Sequence, residues 1–515
     1  MKSSKLLITA LTGALLAGAS SCKEDLLDTV NPNEPSTAQF WQTESDAVRA
    51  STALYSPLQY FSIYSLNWHF ATEGRSDESW TRTPALDLNQ FLTFRQANTT
   101  DRSQVMWNDY YRAIFRCNQV LAKVPSITMD ETVKKRVLAQ AYFVRGLCYY
   151  DLGLLFGNVP LVTTLADANT RVPQGTIEEV QAQVISDLQA AKVDLPLASE
   201  WGPADKGRAT RGAATALLGK LYMQQKQWAL ASAQFAEVIS SGQYKLVDNY
   251  RDNFTELNEN NSESIFEIQF EGSSKLPAVG VDIPGGSEGQ ERSQFWGPPG
   301  FGFTDVEVRP WVFREYSDRT VTGATDPRRD VTMYSAVGTP VVYNRPFSGT
   351  ANNGLNIDPN RYLWRKYQND PRAGGAFFED FHSGINIRVI RYADVLLLQA
   401  EALNEQNQPA AAVALINQVR ARPSVNLTPL TGTFTRETMR IQLRHERVTE
   451  LAGEGPRWAD LNRYGLLDNQ ADVNTLARAD HDPDFANFIV GKNRLLPIPQ
   501  SEIDIDRSIQ QNPGF

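Results

Sequence analysis

The densest group of residues able to do chemistry is Arg444, Glu446, Arg447, Glu450, Glu454, Arg457 and Asp460. Two carboxylates at a defined separation are the machinery of glycoside hydrolysis, one as acid and the other as base or nucleophile. Arg447, Glu450, Glu454 and Arg457 are spaced by three, four and three, which puts them on one face if the helix continues past Gly453. With arginines interleaved, that face reads as a structural ion-pair network joining helices. Asp326-Pro327-Arg328-Arg329-Asp330, with Asp305 and Glu307 nearby, offers oxygens to a cation. Calcium needs six to eight of them and no EF-hand spacing is present, so a turn held by Asp326 and Arg328 is expected. His69, His382, His445 and His481 are scattered, without the clustering of a zinc site. Gly297-Pro298-Pro299-Gly300-Phe301-Gly302 lacks the lysine and following helix of a phosphate loop. No metal and no cofactor is expected.

The chain start carries a different chemistry. Lys2, Lys5, an apolar run from Leu6 to Ala19 and then Ala19-Ser20-Ser21-Cys22 read as an export signal over residues 1–21, with Cys22 as the lipidated first residue of the mature chain. Ala19 stands where such sites usually carry a larger aliphatic residue, so cleavage to a soluble periplasmic chain is the competing reading. The apolar run is about 14 residues, against the roughly 20 that a spanning helix requires. Residues 22–40, with Pro32 and Pro35, read as a polar tether.

The elements that must position any site are helical. Helical patterning runs from about Ser45 to Ser241. Val137, Ala141, Val144, Cys148, Leu152 and Leu155 form one apolar face, stopped by Gly157 and Pro160. Ile177 to Leu195 is a further helix, with Thr176 and Glu179 as its capping box. Leu218-Gly219-Lys220-Leu221-Tyr222, followed by Ala231 and Phe235, fits the tetratricopeptide spacing, and Ala400, Leu403, Ala412 and Ile416 repeat it more loosely. Residues 270–385 separate the two copies. Eight glycines and four prolines between Gly272 and Gly302 mark this insertion as loop-rich, with strand-like pieces such as Ser264 to Phe270.

The net charge of −9 becomes −11 once Lys2 and Lys5 are removed, which argues against nucleic acid as a partner. Cys117 and Cys148 lie in helical patterns and read as buried small hydrophobes, although an exported chain could pair them.

From end to end the chain resembles the SusD/RagB family of surface nutrient-binding lipoproteins. The likeness is carried by Phe40-Trp41 with Asp46-Ala47, Cys117-Asn118, Phe156-Gly157-Asn158-Val159-Pro160 and Gly207-Arg208-Ala209-Thr210. It continues through Glu263-Ser264-Ile265-Phe266-Glu267, Asp326-Pro327-Arg328, Lys366-Tyr367 and Ile390-Arg391-Tyr392-Ala393-Asp394. Glu446-Arg447 with Glu454-Gly455, Arg457-Trp458 with Asp460-Leu461, and Gln511-Asn512-Pro513-Gly514-Phe515 complete it. The resemblance implies a mainly α SusD-like fold in which residues 41–515 form a single domain. Tetratricopeptide-like helix pairs would occupy about 41–245 and 388–460, with a loop-rich ligand-binding half at about 270–385. It also implies a non-catalytic lipoprotein exposed on the outer membrane, where Lys23-Glu24-Asp25 resemble the surface-export signal of such lipoproteins. Its partner would be a SusC-like TonB-dependent transporter, and its cargo a glycan or, as in RagB-like members, a peptide. A surface glycoside hydrolase using carboxylates of the insertion is the third reading.

By analogy with the family, two segments build the ligand face: Ser76-Asp77-Glu78-Ser79-Trp80-Thr81-Arg82 and Glu291-Arg292-Ser293-Gln294-Phe295-Trp296. Sugar rings pack their C–H faces on aromatic rings, while their hydroxyls demand polar side chains at the rim. Trp80 and Trp296 are expected as stacking platforms, with Asp77, Arg82 and Arg292 as hydrogen-bonding partners and Phe295 beside them. Phe301 is a further candidate, and Phe303 reads as structural. Trp68 is assigned either to the site or to the transporter interface, whereas Trp107, Trp228 and Trp458 read as packing.

Overall fold

In the computed structural model the described residues are 40–165, 170–272, 288–349, 354–370 and 379–515. The export signal, Cys22 and nearly all of the tether lie outside them. The principal helices among the described residues are α1 (Glu44–Ala53), α2 (Asp101–Lys123), α3 (Glu131–Leu155), α4 (Ile177–Asp194), α5 (Arg211–Gln224), α6 (Trp228–Ser240), α7 (Tyr392–Glu405), α8 (Pro409–Arg420), α9 (Arg436–Leu451) and α10 (Arg457–Arg463). None of the helices among the described residues is long and apolar enough to cross a membrane.

Local chemistry fixes where these helices begin. Thr43 and Asp46 cap α1 reciprocally, Thr176 and Glu179 do the same for α4, and the Asp130 carboxylate accepts from Thr132 N and Val133 N at the start of α3. Each cap satisfies backbone donors that the first helical turn leaves without partners. At the end of α3, Gly157 adopts φ of +75° and turns the chain away.

Packing then joins the helices in a series, α3 on α4, α4 on α5, α5 on α6 and α7 on α8. A Cβ built on Gly219 would lie 2.6 Å from the Phe235 ring, so glycine is what lets α5 approach α6 this closely. The two halves of the split repeat meet in space, because α6 packs on α7. The chain between them leaves and returns through a neck. Its outgoing strand β1 (Ser264–Ile268) pairs antiparallel with its returning strand β2 (Ile387–Arg391), in the register Ile268↔Ile387 and Ser264↔Arg391. The insertion is less uniformly irregular than its composition suggests, with short helices at Arg292–Trp296, Pro310–Glu315 and Arg328–Thr332.

Charge clamps this neck. Arg391 bonds Glu263 at 2.6 Å, Glu450 at 2.8 Å and Glu454 at 2.8 Å, while Arg422 bonds Glu263 at 2.6 Å and Glu450 at 2.9 Å. Arg328 joins from the insertion through Asp326 and Glu450, and Lys366 through Glu454. All are buried, so the mutual neutralisation is what makes their burial tolerable. Nearby arginines hold Glu263 down to about 2 against the opposing effect of burial. The Asp326–Arg328 turn and the structural network both form as the sequence suggests, except that Arg444 stands outside the network, against the Tyr464 ring with no carboxylate partner among the described residues. The continuous face does not: α9 stops before Ala452, Gly453 takes φ of +77°, and Arg457 opens a separate helix. Cys117 and Cys148 are buried and free.

Candidate ligand-binding surface

The segment before Trp80 is held from below. Glu73 pairs with Arg292 at 2.8 Å and accepts from Trp296 Nε1 at 2.7 Å. Arg75 sits among Phe91, Phe94 and Trp458, its guanidinium carbon 4.8 Å from the Trp458 ring, and donates to the Asn493 carbonyl at 2.6 Å. Asp77 receives both Nε and Nη2 of Arg457 at 2.7 Å and His481 Nε2 at 2.7 Å. The arginine and histidine outweigh burial and keep its carboxyl well below the usual range. Glu78 is buried without such a full partner, and burial pushes it up to about 8.

This foundation aims β3 (Ser79–Thr81) along β4 (Val306–Val308), with Trp80 opposite Glu307. Trp80 is half-buried, with the Arg82 guanidinium carbon 3.6 Å from its ring centroid and that of Arg309 at 5.2 Å. Arg82 keeps 40% of its side chain exposed and lies 3.6 Å from Glu307, which also pairs with Arg361. Backbone bonds extend the surface sideways: Arg82 N donates to Asp305 O at 2.8 Å, and Asp305 N to Phe295 O at 2.9 Å. There Phe295, Phe303 and Phe381 meet edge to face or tilted, with centroids 5.2 to 6.2 Å apart, and Phe70 braces Phe295 from beneath. Phe303 is 48% exposed. Burial raises the Asp305 carboxyl above its ordinary value, against the pull of Thr83 and Arg102.

The arrangement brings together some of the expected site residues and removes others. Trp80, Arg82 and Phe295 share this surface. Trp296, Arg292 and Asp77 are fully buried and turned inward, because Glu73 and Arg457 supply the partners that a ligand was expected to supply. Phe301 is 3% exposed and stacks on Tyr343 at 4.4 Å. Trp68 is buried too, its Nε1 directed at Asp151 at 3.4 Å. In this conformation none of these five offers a face to solvent. Phe303, read from sequence as structural, is the exposed ring, and Phe381 and Arg361 join from far along the chain. The only hint of Phe303 was its place beside Gly302 in a loop.

Asp318, His445 and Glu446 form the group among the described residues that could hold a metal ion. Arg420 already bonds both carboxylates, and His445 has Glu315 and Asp318 on its two ring nitrogens at 2.9 and 3.1 Å. Burial lowers the ring's proton affinity, but these acceptors outweigh it and raise the pKa to about 9, so the imidazole holds its proton at neutral pH and a metal would have to displace both that proton and Arg420.

Comparison with known proteins agrees with this architecture. The "SusD family" model matches residues 262–515, and a model described as "Starch-binding associating with outer membrane" matches residues 27–223. SusD-like protein P25 of Formosa agariphila is 30% identical over 469 residues, which cover 83% of this chain and 84% of that one. A SusD superfamily protein from Bacteroides vulgatus superposes with a TM-score of 0.78 at 26% identity, covering 92% of this chain and all of that one. A laminarin-binding SusD-like protein gives a TM-score of 0.74 at 28% identity, with the same coverage. The chain belongs to the SusD family.

Proposed function

We propose that the protein is a non-catalytic lipoprotein of the outer cell surface, which captures an oligo- or polysaccharide on the Trp80–Phe303 surface and delivers it to a SusC-like TonB-dependent transporter. The observation that carries this reading is a set of aromatic rings at the surface, Phe303 exposed and Trp80, Phe295 and Phe381 partly so, beside the partly exposed Arg82, since a glycan needs flat apolar faces and polar rim groups side by side. Family membership supports it, as does the laminarin-binding relative of the same fold. The non-catalytic reading is supported by Glu307, the carboxylate beside Trp80, which is held by Arg361 and Arg82.

Calorimetry of the purified protein against polysaccharides, oligosaccharides and peptides tests this, with Trp80→Ala and Phe303→Ala alongside. Saturable glycan binding, weakened about tenfold or more in Trp80→Ala with the melting temperature little changed, is the expected result. Binding of peptides alone transfers the surface to peptide capture. Glycan binding unchanged in both variants removes the site from this face, and turnover of the glycan overturns the non-catalytic reading.

A further inference from the structure

A second cleft, of about 380 Å3, opens among helices and shares no residue with the aromatic surface. Lys226 and Trp228 enter it from the α5–α6 turn, Glu401 and Glu405 from α7, Arg440 and Arg444 from α9, and Arg463 and Tyr464 from the end of α10. Its charges do not cancel. Arg440 is neutralised by Glu405 and Glu437, and Arg463 by Glu401 and Asp460. Lys226 and Arg444 have no carboxylate partner among the described residues. The Arg444 guanidinium carbon lies 4.6 Å from the Tyr464 ring, with that of Arg463 at 4.9 Å. Arg444 Nε and the Tyr464 hydroxyl are both buried without a hydrogen-bond partner. Trp228, expected from sequence to be packing, is only half-buried here.

Unpaired cations, orphaned polar atoms and an indole in one cleft suit an anion carried on a flat, partly apolar body. We propose that this cleft binds an acidic sugar, a hexuronate whose carboxylate pairs with Arg444 and Lys226 and whose ring packs on Trp228. The planar carboxylate matches the guanidinium fork, and Glu405 and Glu437 offer acceptors to the hydroxyls. A peptide fits less well. The lining is side chains on helices, whose backbone groups bond within the helix, whereas extended peptides are held by a row of free backbone partners.

Titration calorimetry with trigalacturonate, the neutral galactotriose, acetate and triglutamate decides this. Trigalacturonate should bind saturably, weaken about tenfold or more in Arg444→Gln and in Lys226→Gln, and weaken with added salt. Trp80→Ala should leave it unchanged, which separates this cleft from the aromatic surface. Arg444 holds no ion pair, so Arg444→Gln should melt as the parent does. Binding that is absent, or indifferent to both charge variants, overturns the proposal. Acetate, galactotriose or triglutamate binding as tightly as the uronate overturns the sugar-acid assignment.

Discussion

The neck of the insertion and the Trp80–Phe303 surface use the same residue types to opposite ends. At the neck, Arg391, Arg422 and Arg328 meet Glu263, Glu450 and Glu454 with every charge buried and neutralised by its own chain. At the surface, Arg82 lies over Trp80 with much of its side chain in solvent and only a loose approach to a glutamate that Arg361 already holds. Partner saturation separates the two. A charge surrounded by its own counter-ions has nothing left for a ligand, and removing one member strands the others. A half-covered ring beside a loosely held guanidinium can exchange water for ligand at little cost to the fold.

The severest test of that contrast is Glu450→Gln. Glu450 bonds Arg391, Arg422 and Arg328, so its neutralisation leaves several buried cations short of charge. A loss of about 3–5 kcal/mol in unfolding free energy is expected, read from denaturant melts. Protein that remains folded should keep its glycan affinity. Unaltered stability would mean that the neck tolerates an unmatched charge, and the contrast with the surface would fail.

Sequence rules that act locally read this fold well. The Thr176–Glu179 box and the Gly219–Phe235 spacing are short-range patterns, and the structure places both as the patterns require. The site is harder because Trp80 and Trp296 stand in similar polar, loop-rich settings. What separates them is Glu73, which lies 223 residues from Trp296 in sequence and takes its indole N–H. Gly453 similarly interrupts a helical spacing that looks unbroken when only the charges are counted. Burial is decided by such long-range partners, and a single sequence does not list them.

His445 lies between the two regimes, partly exposed and bonded on both nitrogens by carboxylates. Its folded pKa of about 9 stands above the unfolded 6.5 because the hydrogen bonds its ring donates to Asp318 and Glu315 outweigh burial. The folded state therefore holds the proton more tightly. The resulting stabilisation, on the order of 2–3 kcal/mol, is complete below about pH 6.5 and fades as pH rises through 9. Urea unfolding of the parent and of His445→Gln should differ most near pH 6 and converge near pH 10. A gap independent of pH would show that the ring packs without its charge mattering.

The smallest effect on stability, and the sharpest on the contrast, belongs to Phe303→Ser. Its ring is half in solvent and touches Phe295 and Phe381 at 5.2 and 5.9 Å, so its removal opens no closed cavity. Stability should shift by less than about 0.5–1 kcal/mol in denaturant melts. Glycan affinity should fall by roughly three- to tenfold, a ring-edge contribution of about 1 kcal/mol, with Trp80 supplying the larger share. The exposed ring already breaks the usual economy of burying phenylalanine, and a ligand that covers it recovers the apolar contact that folding leaves unmade. If Phe303→Ser instead destabilises by several kcal/mol and leaves binding untouched, the cluster is an extension of the core, and the surface contracts to Trp80 and Arg82.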